Sequence, residues 1–173
     1  VKDNVVIPRG LEITIDLNGK NIENDLPGHT IYNNGKLTVI DSVGGGTVDN
    51  VTHGKAALVN GLGATATLEG GTFNRSKETG KTPQNGGENS WYTIKNFGEL
   101  TIEKDVTVET ANGAENSGKF SSLIDNGWYS YNNAGNTTLD PNDLGVIPDG
   151  TPAKLTINGG TFIGGLNTVK NDD

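Results

Sequence analysis

The ten residues IYNNGKLTVI, at positions 31–40, contain the pattern that decides the fold. An apolar residue leads into asparagine and glycine, and the glycine is followed by Leu37-Thr38-Val39, in which apolar residues alternate with threonine. A period of two is typical of a strand with one buried face, whereas asparagine and glycine are typical of turns. The stretch therefore predicts short strands separated by a tight corner.

The same pattern returns along the chain at unequal intervals. Its marker asparagines are Asn33, Asn60, Asn96 and Asn126, separated by 27, 36 and 30 residues, and a fifth unit begins at 169–172. Unequal spacing is expected when a constant framework carries external loops of variable length.

Two further motifs follow the markers. Copies of one unit at the same phase stack like on like, which predicts parallel strands about 4.8 Å apart, with Thr over Thr and Val over Phe. The Thr-apolar motif stands at 37–39, 66–68, 100–102 and 155–157, and a Gly-Gly-Thr-apolar step stands at 45–48, 70–73 and 159–162, with a divergent copy at 104–108.

The recurrent asparagines have a physical role in such a stack. Asparagine tolerates the left-handed backbone of a sharp turn, and its amide both donates and accepts. Asn33, Asn60, Asn96 and Asn126 are therefore predicted to form a structural hydrogen-bonded ladder from coil to coil. The paired glycines are predicted to occupy another corner, where a Cβ would clash.

The start of the chain reads as a first coil. It comprises VVIPRG at 5–10 and ITIDLNGKNI at 13–22, with Asp16-Leu17-Asn18-Gly19 entering the asparagine-glycine framework. Together with the later coils of the form NxGxLTIxGGTF, this start resembles right-handed parallel β-helix repeat proteins, the pectate-lyase-like architecture of bacterial surface proteins and phage fibres or appendages.

The resemblance covers nearly the whole chain and implies one all-β domain. The expected fold is a right-handed parallel β-helix of about five to seven coils over residues 1–173, with residues 1–30 as first coil and entry. Insertions are expected near 76–92 and 128–152. Because this solenoid carries lyases, adhesins, tail spikes and inert stalks, the resemblance implies the fold more strongly than a function.

Composition excludes several classes of partner. The formal charge of −8, with two arginines in the chain, argues against nucleic-acid binding. No apolar run approaches the length of about 20 residues that spans a bilayer, so membrane insertion is not expected.

The chain contains no cysteine, so backbone hydrogen bonds and apolar stacking must hold the fold together. Without methionine or a signal peptide, the chain is expected to be a fragment or processed product, truncated within a repeat at 169–173.

The two insertions contain both tryptophans and three of the four tyrosines. An exposed ring beside Asn, Asp and Ser is the platform that a sugar ring needs. A glycan-contacting surface is therefore predicted, with the two aromatic pairs flanking one edge of the solenoid; the alternative is that these rings pack the insertions onto the coils. The residues of this predicted surface are Trp91, Tyr92, Trp128, Tyr129 and Tyr131.

Enzyme and metal motifs match poorly. The carboxylates Asp41, Glu69, Glu103 and Asp125 are assigned to different phases of the repeat, and an aspartate-rich run at 140–143 reads as a solvated turn rather than a calcium loop. His29 and His53 are interpreted as surface residues. No catalytic residue, metal site or cofactor is predicted.

Three classes of function remain open. The first is a non-catalytic, extracellular module of a cell surface or virion, adhesin-like or receptor-binding, with glycans or a host receptor as partners. The second is a structural stalk or spacer, and the third is a polysaccharide lyase or glycoside hydrolase. An open last coil predicts continuation or self-association, and a trimer is expected if the chain comes from a phage.

Overall fold

The computed structural model describes residues 4–52, 55–76, 92–110, 122–127, 152–164 and 167–172, and in these ranges the chain forms strands and turns. No helix of the described residues is long and apolar enough to cross a membrane. The strands of the described residues are β1 (Val5–Ile7), β2 (Glu12–Asp16), β3 (Asn21–Asn24), β4 (Ile31–Asn33), β5 (Lys36–Ile40), β6 (Thr47–Asn50), β7 (Leu58–Asn60), β8 (Thr65–Leu68), β9 (Gly71–Asn74), β10 (Ile94–Asn96), β11 (Glu99–Ile102), β12 (Val106–Glu109), β13 (Ile124–Gly127), β14 (Lys154–Ile157), β15 (Thr161–Ile163) and β16 (Val169–Asp172).

The strands form three parallel sheets, and every third strand belongs to the same sheet. Sheet 1 has the order β1-β4-β7-β10-β13-β16, sheet 2 the order β2-β5-β8-β11-β14, and sheet 3 the order β3-β6-β9-β12-β15. The chain thus passes through the three sheets five times and begins a sixth coil with β16. The predicted all-β parallel β-helix is confirmed.

Strand alternation explains how each coil is built. In β5, Leu37 and Val39 are fully buried whereas Lys36 is exposed and Thr38 is half-buried. Parallel pairing repeats this alternation of buried and exposed side chains in neighbouring coils, since Thr38 pairs with Thr67 and Val48 pairs with Phe73. The predicted stacking of Thr over Thr and Val over Phe is confirmed, and it places one continuous apolar core inside the solenoid.

Glycines at the corner between sheets 1 and 2 allow close contact between coils. A Cβ on Gly35 would lie 2.6 Å from the Pro8 carbonyl oxygen, and one on Gly98 would lie 2.5 Å from that of Gly61. Both obstacles are backbone atoms, so a side chain cannot be accommodated by a rotamer change. In the paired glycines of the next corner, Gly71 has a φ of +91° and lies against Leu17.

Two details of the predicted register are wrong. Asp16-Leu17-Asn18-Gly19 does not enter the marker corner; Asp16 pairs with Ile40 at the corner between sheets 2 and 3. The marker position of the first coil is instead occupied by Ile7, which pairs with Asn33. The marker asparagines also lie in strands, and among the described non-glycine residues only Asn18 has a positive φ, 51°. Hydrogen bonding rather than backbone conformation therefore explains their recurrence.

Sheet 1 differs from the other sheets because both faces of its strands β4, β7 and β13 are buried. Ile31 and Leu58 face the main core, whereas their neighbours Tyr32 and Val59 belong to a second apolar cluster with Ala56 and Phe97. All four members of this second cluster are at most 2% exposed. The alternation of apolar and polar residues is consequently weak in these strands.

The strands bracket the predicted insertions. The framework stops at Asn74 and resumes at Ile94, then stops at Gly127 and resumes at Lys154. Most of both insertions lies outside the described residues. A third long connection of 14 residues, 110–123, joins β12 to β13 at the same corner as the first insertion. Despite these connections, the coils keep their register.

Candidate functional site

The most regular polar feature of the described structure is the asparagine ladder in sheet 1. The Nδ2 of Asn33 donates to the Oδ1 of Asn60 at 2.8 Å, and Asn60 donates in the same way to Asn96 at 2.8 Å. Asn96 then donates to Asn126 at 2.7 Å, and Asn126 donates to Asn171 at 2.6 Å. The side chains at the four predicted positions therefore form a ladder, and Asn171 extends it by one step.

Each ladder amide also holds the adjoining corner together. The second Nδ2 hydrogen of Asn60 donates to the Glu99 carbonyl at 2.9 Å, and that of Asn96 donates to the Lys154 carbonyl at 3.0 Å. The Oδ1 of Asn96 additionally accepts the Gly98 N–H at 3.3 Å. Because the asparagines at the four predicted positions are at most 5% exposed, water cannot replace the lost partners after substitution.

Tyr92 is the one predicted glycan-contacting residue that falls within the described ranges. Its side chain is buried, with 3% of its surface exposed. The Lys170 Nζ donates to its hydroxyl at 3.3 Å and lies 5.9 Å from the ring centroid. This environment is that of a packing residue, which is the alternative stated for the aromatic rings. Trp91, Trp128, Tyr129 and Tyr131 lie outside the described residues.

The two aromatic segments join sheet 1 at opposite ends of its strands. Ile94 pairs with Ile124, so Tyr92 precedes this pair whereas Gly127 follows it. Five residue steps along the sheet separate the two junctions, a distance on the order of 15 Å. The segments that carry the two pairs therefore leave the sheet at opposite ends of its strands, while the prediction that the pairs flank one edge stays a prediction.

A polar groove of about 570 Å³ crosses three coils at the corner between sheets 2 and 3. Its lining includes the carboxylates Asp41, Glu69 and Asp105 and the hydroxyls of Thr72 and Thr107. Among the described residues, no group of three or more carboxylate or histidine side chains is arranged to hold a metal ion. The groove is thus an open hydrogen-bonding surface.

Two carboxylates at this corner, Glu69 and Glu103, share a phase of the repeat, contrary to the sequence interpretation, whereas Asp41 stands one residue later in its coil. Leu68 pairs with Ile102, so Glu69 and Glu103, which directly follow them, occupy equivalent positions in adjacent coils. Asp41 lies at the same corner, whereas Asp125 lies in sheet 1, away from it. The Oε1 of Glu103 accepts a hydrogen bond from the Asn158 Nδ2 at 2.8 Å.

Two aspartates at this corner organise its turns. Asp41 accepts the Gly19 N–H at 2.8 Å and the Gly46 N–H at 2.7 Å, and the bond from Gly19 contributes most to lowering the pKa of Asp41. The Ser42 N–H and hydroxyl donate to Asp16 at 3.0 and 2.7 Å and lower its pKa. Both carboxylates bridge neighbouring coils and so have a structural role.

Two basic side chains are buried at or near the corner between sheets 3 and 1. His29, interpreted from sequence as a surface residue, is 2% exposed, accepts the Ala56 N–H at 2.7 Å through Nδ1 and contacts the Tyr32 ring edge-on. The interpretation is wrong because His29 lies at the entry to β4, beneath the second apolar cluster. His53 lies outside the described residues. Arg75 is also fully buried, and this burial lowers its pKa to about 9.

A second asparagine column was not predicted. Asn24 and Asn50 pair at the end of sheet 3 and are both buried. Each donates its Nδ2 to the Gly28 carbonyl at 3.0 Å. The sequence signal for this column was an asparagine at the end of two strands, Asn21–Asn24 and Thr47–Asn50. In the next coil the equivalent position is occupied by Arg75, which breaks the pattern.

Comparison of the chain with protein-family models, curated proteins and solved structures finds no match. The class of protein is therefore defined by the strand order and register alone. That class is the parallel β-helix solenoid.

Proposed function

We propose that this chain is a non-catalytic β-helix module of a surface-exposed protein, adhesin-like or receptor-binding, whose long connections recognise glycans. The observation that carries the proposal is the separation between framework and connections. β9 and β10 are separated by 19 residues (75–93), and β13 and β14 by 26 (128–153), yet the asparagine ladder runs across both without interruption. A rigid scaffold carrying long variable loops is a common arrangement in recognition proteins.

The composition of these connections supports glycans as the ligand class. They contain Trp91, Trp128, Tyr129 and Tyr131 beside many Asn, Ser and Asp residues. Aromatic rings supply apolar platforms for sugar rings, and the polar neighbours supply hydrogen bonds. Since the two segments join the sheet at opposite ends, we assign the two tryptophans to separate contacts rather than to one platform.

The geometry of the carboxylates supports a non-catalytic role. Asp41 and Asp16 accept backbone N–H groups from adjacent turns, and Glu103 accepts the Asn158 amide. These carboxylates are used to hold the corner between sheets 2 and 3.

Glycan-array binding with multivalent display tests the proposal, because single sites of this kind are weak and become measurable through avidity. The wild-type chain is expected to bind, whereas Trp91→Ala and Trp128→Ala should each reduce binding several-fold. Leu26→Ala, at an exposed apolar residue outside the long connections, is the control and should bind as the wild type does. Folding of each variant is verified by circular dichroism.

A second candidate function is a structural stalk, and the continuous ladder favours it. Four buried asparagine side chains, extended by the exposed Asn171, form one column that stiffens the solenoid along its axis. Absence of glycan binding by the wild type, or equal binding by both folded tryptophan variants, would put the stalk first.

A further inference from the structure

The repeat that builds the solenoid also places asparagine directly before glycine. This dipeptide is prone to spontaneous deamidation, because glycine has no Cβ to hinder the attack of its backbone nitrogen on the asparagine side chain. Such pairs stand among the described residues at 18–19, 34–35, 60–61, 126–127 and 158–159, and two more, at 85–86 and 112–113, lie outside them. The surroundings of each pair decide whether it reacts.

The asparagine ladder protects two of these pairs. Asn60 is fully buried, and its Nδ2 donates both to the next ladder asparagine and to a strand carbonyl. The Gly61 nitrogen, which would have to attack Asn60, donates its proton to the Asn33 carbonyl at 2.8 Å. Asn126 is 5% exposed and donates to Asn171 at 2.6 Å. Neither side chain can turn towards the following nitrogen without breaking the ladder.

Two pairs in turns are protected at the attacking nitrogen. The Gly19 N–H donates to the Asp41 carboxylate at 2.8 Å, and a negative charge beside this nitrogen opposes the loss of its proton. The Gly35 N–H donates to the Asn33 Oδ1 at 3.1 Å. Because the reaction begins with the deprotonated nitrogen, both hydrogen bonds slow it.

The pair Asn158-Gly159 has neither form of protection. Asn158 is exposed, and within the described residues its side chain makes one hydrogen bond, from Nδ2 to the Glu103 Oε1 at 2.8 Å. No acceptor in the described part of the chain lies within hydrogen-bond distance of the Gly159 N–H. The attacking nitrogen and the side chain that it attacks are thus both open to reaction.

The free N–H is a property of the corner between sheets 2 and 3. Gly70 and Lys104 occupy the position of Gly159 in the two preceding coils, because β8, β11 and β14 pair in register. Their N–H groups likewise have no acceptor among the described residues, although a further coil stacks on each of them. Glu69, which precedes Gly70, is also exposed. The openness of this position therefore does not depend on its place in the stack.

We propose that Asn158 is a site of spontaneous deamidation and that its conversion loosens the contact between the fourth coil (β10–β12) and the fifth (β13–β15). The Gly159 nitrogen loses its proton to hydroxide and attacks the Cγ of Asn158; the Cγ–Nδ2 bond breaks, and ammonia leaves with a proton taken from water. Water then opens the resulting succinimide at either carbonyl, which gives aspartate or isoaspartate. The net reaction consumes one water and releases one ammonia, and it is independent of any ligand of the long connections.

Both products disturb the same contact between coils. Aspartate replaces the donor to Glu103 with a second carboxylate, so a hydrogen bond of 2.8 Å becomes a repulsion between like charges on adjacent strands. Isoaspartate also adds one carbon to the backbone before Gly159. A Cβ on Gly159 would already lie 2.9 Å from the Lys104 Cα, so the lengthened backbone has no room against the fourth coil. The fifth coil must shift away from it.

Peptide mapping by mass spectrometry tests the site directly. The chain is incubated at pH 8 both folded and in denaturant, and the deamidated fraction of each Asn-Gly pair is followed with time. In the folded chain Asn158 should react at least tenfold faster than Asn60 and Asn126, whereas in denaturant the three should react at similar rates, because each precedes glycine. Equal rates at Asn158 and Asn60 in the folded chain would overturn the proposal.

Asn158→Gln is the matched variant for the consequence of the reaction. Glutamine keeps an amide donor near Glu103, but its reaction requires a six-membered ring and is much slower. After incubation at pH 8 the wild type should melt at a lower temperature than before, whereas Asn158→Gln should keep more than half of that loss from occurring. Asn158→Asp, prepared directly, should also melt below the wild type at pH 8. If Asn158→Gln loses as much as the wild type, or if Asn158→Asp melts with it, the loosening of the two coils is refuted.

Discussion

At the residue scale, the asparagine ladder combines packing with hydrogen bonding at one position. A ladder asparagine donates twice and accepts at least once, and the group that replaces it must satisfy buried amides above and below. No other uncharged side chain of similar size combines two donors with an acceptor. This requirement explains why asparagine returns while the loops around it change.

Substitution of a ladder asparagine should therefore be costly. Asn60→Ala or Asn96→Ala is expected to reduce the free energy of unfolding by about 1–3 kcal/mol, because buried amides and carbonyls lose their partners. Denaturant melts measure this loss, with Asn167→Ala, at an exposed asparagine outside the ladder, as the control. Losses below about 0.5 kcal/mol at both ladder sites would show that the amides contribute nothing beyond the strand pairing.

The pKa of Asp41 predicts a dependence of stability on pH. Its folded-state pKa lies below the ordinary value of 3.8, mainly because the Gly19 N–H donates to the carboxylate. A lowered folded pKa contributes stability that is fully present well above pH 3.8 and is lost as the pH falls through the folded pKa. Asp41→Asn should therefore unfold more easily at pH 6 and lose less stability between pH 6 and pH 2 than the wild type. If Asp41→Asn and the wild type lost the same free energy of unfolding between pH 6 and pH 2, the stabilising role of the Asp41 carboxylate would be contradicted.

At the element scale, the corner between sheets 1 and 2 depends on glycine for space rather than for a left-handed backbone. A Cβ on Gly98 meets carbonyl oxygens of the preceding coil, whereas one on Gly63 meets no atom within 4 Å, although Gly63 has a φ of +70°. The Gly98 position is therefore limited by space, whereas the Gly63 position is limited by its positive φ.

Gly98→Ala is expected to lower the free energy of unfolding by about 1–3 kcal/mol, because the coils must separate to admit the methyl group. Gly63→Asn is the matched control, since asparagine tolerates a positive φ and the site has space. Thermal unfolding of both variants measures the difference. Equal destabilisation by the two substitutions would mean that backbone conformation, not steric contact between coils, determines the choice of glycine.

The sequence predicts the framework well because the framework repeats. The marker asparagines, the Thr-apolar pairs and the paired glycines recur at one phase, so their stacking in parallel follows from like packing on like. Features that occur once are not predicted. His29 is buried by contacts with Tyr32 and Ala56 from different coils, and Ile7 replaces asparagine in the first coil alone. The predicted surface of aromatic pairs stays a prediction, because Trp91, Trp128, Tyr129 and Tyr131 stand in connections that do not repeat and lie outside the described residues.

At the scale of the whole molecule, the solenoid is a stack in which each coil mainly contacts its neighbours. Stability in such a protein is approximately the sum of coil and interface contributions. A long connection that leaves and rejoins the same corner does not directly change the stability of a coil or of the interface between coils. The step from Asn126 to Asn171 spans 45 residues of chain and still yields a 2.6 Å hydrogen bond.

This separation predicts that the connection between β13 and β14 can be removed without loss of the fold. In the preceding coil the same corner is made by two residues, Phe97 and Gly98, between β10 and β11. Replacing residues 127–153 with Phe-Gly should therefore preserve the ladder, because it leaves two residues between Asn126 and Lys154, as between Asn96 and Glu99. Shortening a loop also lowers the entropic cost of closing it, and each halving of its length changes the free energy by only about 0.6 kcal/mol. Far-ultraviolet circular dichroism and denaturant melts should show the same strand content and a stability equal to or above that of the wild type. The same variant should lose the glycan binding assigned to Trp128, while Trp91-dependent binding persists. If the shortened chain fails to fold, the connection is part of the core packing, and the division of the molecule into framework and recognition loops is wrong.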